Sequence, residues 1–206
     1  MNILESYFSV IKNPKLHIGC GSHVLGGWLN CDLTPLSDQI FTLDASKKFP
    51  FADNVFDFIF TEHMIEHIPY EAGLFMMKEC LRVLKPGGVM RVSTPDLKFL
   101  FDIYTNPGKE LHRDYIRWSI EMFSPEAISL NPAFVLNKFV RDWGHSFIYD
   151  KKTLEETMLH AGFARVEICS IGASAHAELS GLEYEGRLPP GFLNLETMTI
   201  EAMKPR

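Results

Sequence analysis

Leu16-His17-Ile18-Gly19-Cys20-Gly21-Ser22 sets a short apolar run directly before two glycines, and Trp28-Leu29-Asn30-Cys31-Asp32-Leu33 follows with an acid near its end. Read as strands, these runs put a glycine turn at the end of the first and a carboxylate at the end of the second. Glycines there permit close approach of the backbone to a ligand, and the acid can accept hydrogen bonds from ribose hydroxyls. Gly19 and Gly21 could equally serve only to turn the chain, and Asp32 only to close a strand.

Outward from this stretch, strands are expected over 16–19, 28–33, 40–44, 56–61, 88–93, 165–170 and 196–202. A helix is expected over 70–84, with Leu74, Met77, Leu81 and Leu84 on one face and a stop signal at Lys85-Pro86-Gly87-Gly88. Another starts at Asp150 as N-cap, runs through Leu154 and Met158, and ends near Gly162. Short β-like runs alternating with helical periods define an α/β layer fold around a largely parallel sheet. Residues 97–149 are aromatic-rich and helical, broken at Asn106-Pro107-Gly108, Ser124-Pro125 and Asn131-Pro132, and read as an insertion. The long glycine-rich connection 171–195 has the length of a functional loop.

With 206 residues there is room for a single domain spanning 1–206. Hydrophobic residues at 46%, charged residues at 22% and a mean hydropathy of −0.01 belong to a globular chain with a real core. Twenty basic against 26 acidic residues give −6, so nucleic acid is not an expected partner. Cys20, Cys31, Cys80 and Cys169 are scattered without a CxxC pair, which fits a reducing compartment. No apolar run approaches the ~20 residues of a membrane span, and residues 1–13 lack the basic n-region and cleavage site of an export signal. A cytoplasmic location is expected.

Further motifs follow in order: Asp44-Ala45, then Phe49-Pro50-Phe51-Ala52-Asp53-Asn54 with Val55-Phe56-Asp57-Phe58-Ile59-Phe60. Thr61-Glu62-His63-Met64-Ile65-Glu66-His67-Ile68 comes next, and Leu81-Arg82-Val83-Leu84-Lys85-Pro86-Gly87-Gly88 last. Over 15–96 the chain thereby resembles the class I S-adenosylmethionine-dependent methyltransferases, of the type 11-like domain. The resemblance implies a Rossmann-like, seven-stranded, mostly parallel sheet with the last strand antiparallel and helices on both faces. It also implies S-adenosyl-L-methionine as cofactor and methyl transfer to a soluble small-molecule or carbohydrate-like acceptor.

Carried over to this sequence, the resemblance implies that Gly19, Cys20 and Gly21 border the methionine and ribose portion of the cofactor. Asp32 would hold the ribose hydroxyls with Leu33 against the adenine, Asp44 and Ala45 would sit at the adenine edge, and the main chain at Thr61 and Glu62 would lie near the amino-acid end. Blander roles stand beside these: Asp44 as a helix cap, Leu33 as a core residue. One departure is that only ten residues separate Gly21 from Asp32. The first helix must therefore shrink to about a turn or give way to a loop around Gly26-Gly27. A dinucleotide fingerprint, with its acid about 20 residues on and its pyrophosphate at a helix N-terminus, does not fit.

Methyl transfer needs an aligned nucleophile and, for O–H or N–H acceptors, removal of a proton. Histidine, with a pKa near 6.5, suits that role. Ligands of open α/β sheets lie beyond the C-terminal strand ends, where His63 follows the fourth strand and where 97–149 and 171–195 should wall the acceptor pocket. The run Arg141-Asp142-Trp143-Gly144-His145 supplies the richest chemistry, with Tyr184 and Arg187 as further candidates, while Trp143 and Tyr149 are expected in the packing of the insertion. His145 and His63 are the catalytic candidates. His67, a full helical turn beyond His63, is expected to stand farther from the reaction.

Two other classes compete. His63-Met64-Ile65-Glu66-His67 matches the H-x-x-E-H string of zinc metallopeptidases, in which two histidines four apart share a helix face. Similar strings occur in the methyltransferases without metal, and no metal ligand set is expected. The remaining class is a non-catalytic S-adenosylmethionine-binding module. Neither the acceptor nor the oligomeric state is written in these residues.

Overall fold

The computed structural model describes residues 3–206. Its strands are β1 (Lys15–Ile18), β2 (Leu29–Asp32), β3 (Phe41–Thr42), β4 (Phe56–Glu62), β5 (Leu84–Pro95), β6 (Ala164–Cys169) and β7 (Thr197–Met203). They form one sheet in the order β3-β2-β1-β4-β5-β7-β6. The first five pair in parallel, and β7 runs antiparallel between β5 and β6. This is the expected sheet. The strand expected over 40–44 shortens to two residues, because Asp44 turns the chain with its own side chain. The Lys85–Gly88 stretch, read as a helix stop, is already strand: a register shift between β4 and β5 absorbs it, with Gly87 at φ +80.

The helices are α1 (Ile3–Val10), α2 (Tyr70–Val83), α3 (Leu97–Thr105), α4 (Glu110–Phe123), α5 (Pro132–Arg141), α6 (Lys151–Ala161) and α7 (Phe192–Glu196). Helix α6 begins where Asp150 accepts a hydrogen bond from the Thr153 amide at 2.7 Å and ends at left-handed Gly162. Between β1 and β2 there is no helix at all, only turns, as the ten-residue spacing requires.

Side chains alternate across the sheet. Leu16, Ile18, Leu29, Cys31, Ile59, Met90, Val92 and Ile200 bury one apolar face, against which Met76, Met77 and Cys80 of α2 and Leu154 and Met158 of α6 pack. The opposite face carries His17, Asn30, Phe60, Arg91, Ser93, Thr199 and Glu201. Residues 171–188, with two short 3-10 turns, close it: Leu179 meets Trp28, Phe60 and Val89. A second core lies at the C-terminal strand edge, where Phe99, Ile103, Tyr115, Ile116, Val135, Phe139 and Phe192 join α3, α4, α5 and α7. Among the described residues no helix is long and apolar enough to cross a membrane.

Candidate active site

At the end of β1 the chain turns through two left-handed glycines, Gly19 at φ +70 and Gly21 at φ +50. The amides of Gly19 and Cys20 both donate to the Cys31 carbonyl, at 2.8 and 3.0 Å, which pins the turn to β2. A Cβ on Gly19 would stand 2.2 Å from Met64 Cγ, whereas one on Gly21 would meet no described atom within 4 Å. Asp32, closing β2, accepts from the Gly21 amide at 2.8 Å and from the Thr34 amide at 2.9 Å. These residues border a cavity of about 380 Å³, together with Leu33, Asp44, Ala45, His63, Met64 and His67.

The remaining expected cofactor contacts divide. Leu33 is 64% exposed at this cavity, so it is not a core residue. Asp44 borders the cavity, but its carboxylate serves its own turn. It accepts from Ser46 N and Oγ and pairs with Lys47 at 2.8 Å, and the lysine bond above all holds it near pKa 2. The Cys20 side chain is buried, its thiol pushed up to about 11 by burial, so the main chain is what this residue brings to the turn. Thr61 and Glu62 do not border the cavity. Thr61 is fully buried, and both Glu62 carboxylate oxygens lie 3.2 Å from the Tyr184 amide that donates to them. His63, left-handed at φ +46, and Met64 are the residues after β4 that border the cavity.

A second cavity, of about 290 Å³, opens where the insertion meets the strand ends. Its aromatic wall is Tyr115, Trp118, Phe123, Phe139 and Trp143; its polar groups are His63, Glu66, His67, His145, Arg187 and Glu196. Trp143 thus lines a cavity rather than filling the core, whereas Tyr149 is fully buried as expected. His63 and His67 border both cavities.

Trp143 and Gly144 are both left-handed, at φ +58 and +74, and this double turn brings His145 back beside His67, their ring centroids 4.9 Å apart. The Ser146 and Phe147 amides then donate to the Glu66 carbonyl at 2.7 and 3.1 Å, fastening the insertion's exit to the string after β4. His67 therefore stands beside His145 rather than apart from it. His145 Nδ1 lies 2.7 Å from the Phe139 carbonyl, to which it must donate, leaving Nε2 with the lone pair. His63 has less freedom: Nε2 lies 2.8 Å from Thr197 Oγ1 and Nδ1 3.4 Å from Glu66 Oε1. Burial lowers the pKa of all three rings, that of His63 well below 6.5.

Two buried carboxyls complete the cavity. Glu66 accepts from Thr94 Oγ1 at 3.0 Å through Oε2, while Oε1 has no hydrogen-bond partner among the described residues. Glu196 takes the Tyr115 hydroxyl in a short bond. Burial raises both carboxyls to about 7. Glu196 and Tyr115 escaped the sequence reading: one ends the short helix before β7 and the other sits on an ordinary amphipathic helix, and only the fold joins them across 81 positions.

The H-x-x-E-H string is not on an α-helix. Ile65–His67 is one 3-10 turn, and His63 precedes it in a left-handed conformation, so the shared face that a zinc peptidase needs is missing. Nothing supports the metallopeptidase reading.

Comparison with known proteins agrees with this geometry. The family model described as "Methyltransferase domain" matches residues 29–92. Ubiquinone/menaquinone biosynthesis C-methyltransferase UbiE of Laribacter hongkongensis is 28% identical over 143 residues, which cover 64% of this chain and 49% of that protein. Sterol 24-C-methyltransferase ERG6B of Gibberella zeae is 38% identical over 88 residues, covering 42% and 21%. The chain thus spans half or less of the length of these curated relatives. A SAM-dependent methyltransferase from Archaeoglobus fulgidus superposes with TM-score 0.51 at 16% identity, covering 98% of this chain and 91% of that one. The YcgJ protein from Bacillus subtilis gives 0.54 at 13%, covering 99% and 98%.

Residues 29–92 match a methyltransferase domain, and the fold is that of solved S-adenosylmethionine-dependent methyltransferases. The residues present suit that cofactor. Asp32 offers acceptors for ribose hydroxyls, exposed Leu33 offers an apolar wall, and no side chain among the described residues fills the space at Gly21.

Proposed function

We propose that this chain methylates a soluble small molecule seated in the aromatic cavity, with S-adenosylmethionine in the neighbouring one. The observation that carries this reading is that the two cavities meet at His63 and His67. When bound, the cofactor supplies a methyl group already activated on a sulfonium, so the chain has to align an acceptor and deal with its proton.

Asp32, Leu33, Ala45 and the turn Gly19–Gly21 hold the cofactor, and the insertion 97–149 with the connection 171–195 forms the acceptor pocket. Ring faces of Trp118 and Trp143 suit a planar or sugar-like acceptor. His145 is the catalytic histidine, because its Nε2 is free of the Phe139 bond. His63, committed to Thr197 and Glu66, acts as a positioning residue.

The test has two arms. Cofactor at 100 times its dissociation constant should stabilise the fold by about 2.7 kcal/mol, visible as a raised melting temperature; no shift at millimolar cofactor overturns the reading. Methyl transfer from labelled cofactor is then screened over carbon, oxygen and nitrogen acceptors, carbon included because both curated relatives are named C-methyltransferases. With an acceptor in hand, His145→Ala should lower kcat and keep cofactor affinity. Cofactor binding with no acceptor methylated would favour a non-catalytic binding module.

A further inference from the structure

We propose that Glu66, His67 and His145 bind one divalent transition-metal ion at the junction of the two cavities, where it presents an open position to an oxygen of the acceptor. One donor atom from each residue lies within 4.8 Å of the other two. Ligands held 2.0–2.2 Å from an ion stand roughly 3.0–3.5 Å apart, a contraction that side-chain rotation supplies. The proposal deepens the methyltransferase reading and rests on it for the ion's use, not for its binding.

Three features beyond proximity point to an ion. First, Glu66 is fully buried and its Oε1 is without a hydrogen-bond partner among the described residues, while Thr94 fixes the other oxygen. A buried carboxyl oxygen held by no hydrogen bond, with His63 Nδ1 standing off at 3.4 Å, is costly, and Glu66 borders the acceptor cavity together with both histidines. Second, the His145 bond from Nδ1 to the Phe139 carbonyl is the outer-sphere support that metal-binding histidines commonly have; it fixes the tautomer with a lone pair on Nε2. Third, His67 is exposed, so an ion has a route to the cluster from solvent.

One carboxylate and two imidazoles suit zinc, manganese or iron(II) rather than magnesium or calcium, which favour oxygen ligands. Three protein ligands leave positions open. With Nε2 on the ion, His145 acts through the metal rather than as a free base: the ion polarises a bound oxygen donor and lowers the pKa of a hydroxyl, which makes hydroxylated or enolisable molecules the matching acceptor class. These donors are not the pair that the H-x-x-E-H string suggests: His145 from the insertion replaces His63, and the glutamate is a ligand.

The test uses full-length protein dialysed against chelator and then titrated with Zn²⁺ and, for its visible absorption, Co²⁺. Expected is uptake of one ion per chain with a Co²⁺ band. Loss of outer-sphere partners alone weakens metal binding about 10–100-fold, so Glu66→Gln and His145→Ala should each weaken it by more than that. His160→Ala, on the exposed side of α6, should leave it unchanged. No uptake, or uptake unaltered in both ligand variants, overturns the site. Cofactor binding is measured by calorimetry on the same samples. Cofactor bound without metal uptake overturns the ion alone, whereas metal bound with the cofactor refused supports the ion and overturns the methyltransferase reading.

Discussion

Arg91 Nε stands 2.6 Å from Glu183 Oε1, and neither side chain reaches solvent. The same guanidinium meets Glu201 at 2.5 Å and the Ala173 carbonyl at 2.9 Å, while Glu183 also takes Ser93 Oγ and the Gly172 amide. Segment 171–188, which brings Tyr184 and Arg187 to the site, is thus tied to the polar face of the sheet. Removing one partner of a buried pair costs about 3–5 kcal/mol. Glu183→Ala should lose stability of that order in urea unfolding, and trypsin should cut faster at Arg187. Unchanged stability would mean that the segment is held by its apolar contacts.

Asp32→Ala should reduce cofactor affinity by more than about tenfold, since charge-assisted hydrogen bonds are among the strongest of their kind. It also releases the Gly21 and Thr34 amides, so a stability loss of about 1 kcal/mol per bond should accompany it. Calorimetry with cofactor and a denaturant titration separate the two effects. Undiminished affinity would move the ribose elsewhere.

His17 makes the fold acid-sensitive. Burial lowers its pKa from 6.5 to about 4, against a raising contribution from its bond to Asn30. Because the folded value lies below the unfolded one, the full contribution is present above pH 6.5 and is lost as pH falls toward 4, where the penalty approaches about 3 kcal/mol. Stability of wild type and His17→Gln, measured from pH 7.5 to 4, should converge at the acid end. Parallel curves would refute the assignment.

Trp143→Ala should raise the acceptor KM about tenfold or more while leaving cofactor affinity unchanged, because Trp143 lines only the aromatic cavity. A matched fall in cofactor affinity would show that the two cavities are not separate subsites.

Much of this molecule was legible in its sequence because local chemistry decides it. The glycine turn, the Asp150 cap, the Gly162 stop and the missing first helix follow from residues within a few positions of one another. What was hidden depends on distant returns of the chain. An arginine inside a strand reads as exposed, yet Arg91 is buried against acids 92 and 110 positions away. His67 and His145 meet only because Ser146 and Phe147 hydrogen-bond back to Glu66. Asp44 looked available for a ligand until Ser46 and Lys47 engaged it.

The position of β7 between β5 and β6 has a consequence for how the molecule is made. Synthesis delivers β6 before the only strand that can join it to the sheet, and it delivers Arg91 long before Glu183 and Glu201. A nascent chain that has passed β6 but not β7 therefore carries an orphan strand, its Arg91 guanidinium lacks both acids until Glu183 emerges and still lacks Glu201 after that, and Trp28 and Phe60 lie uncovered until Leu179 emerges. Sheet closure is consequently a late event, completed from within by insertion, and the nascent chain is vulnerable to aggregation until then.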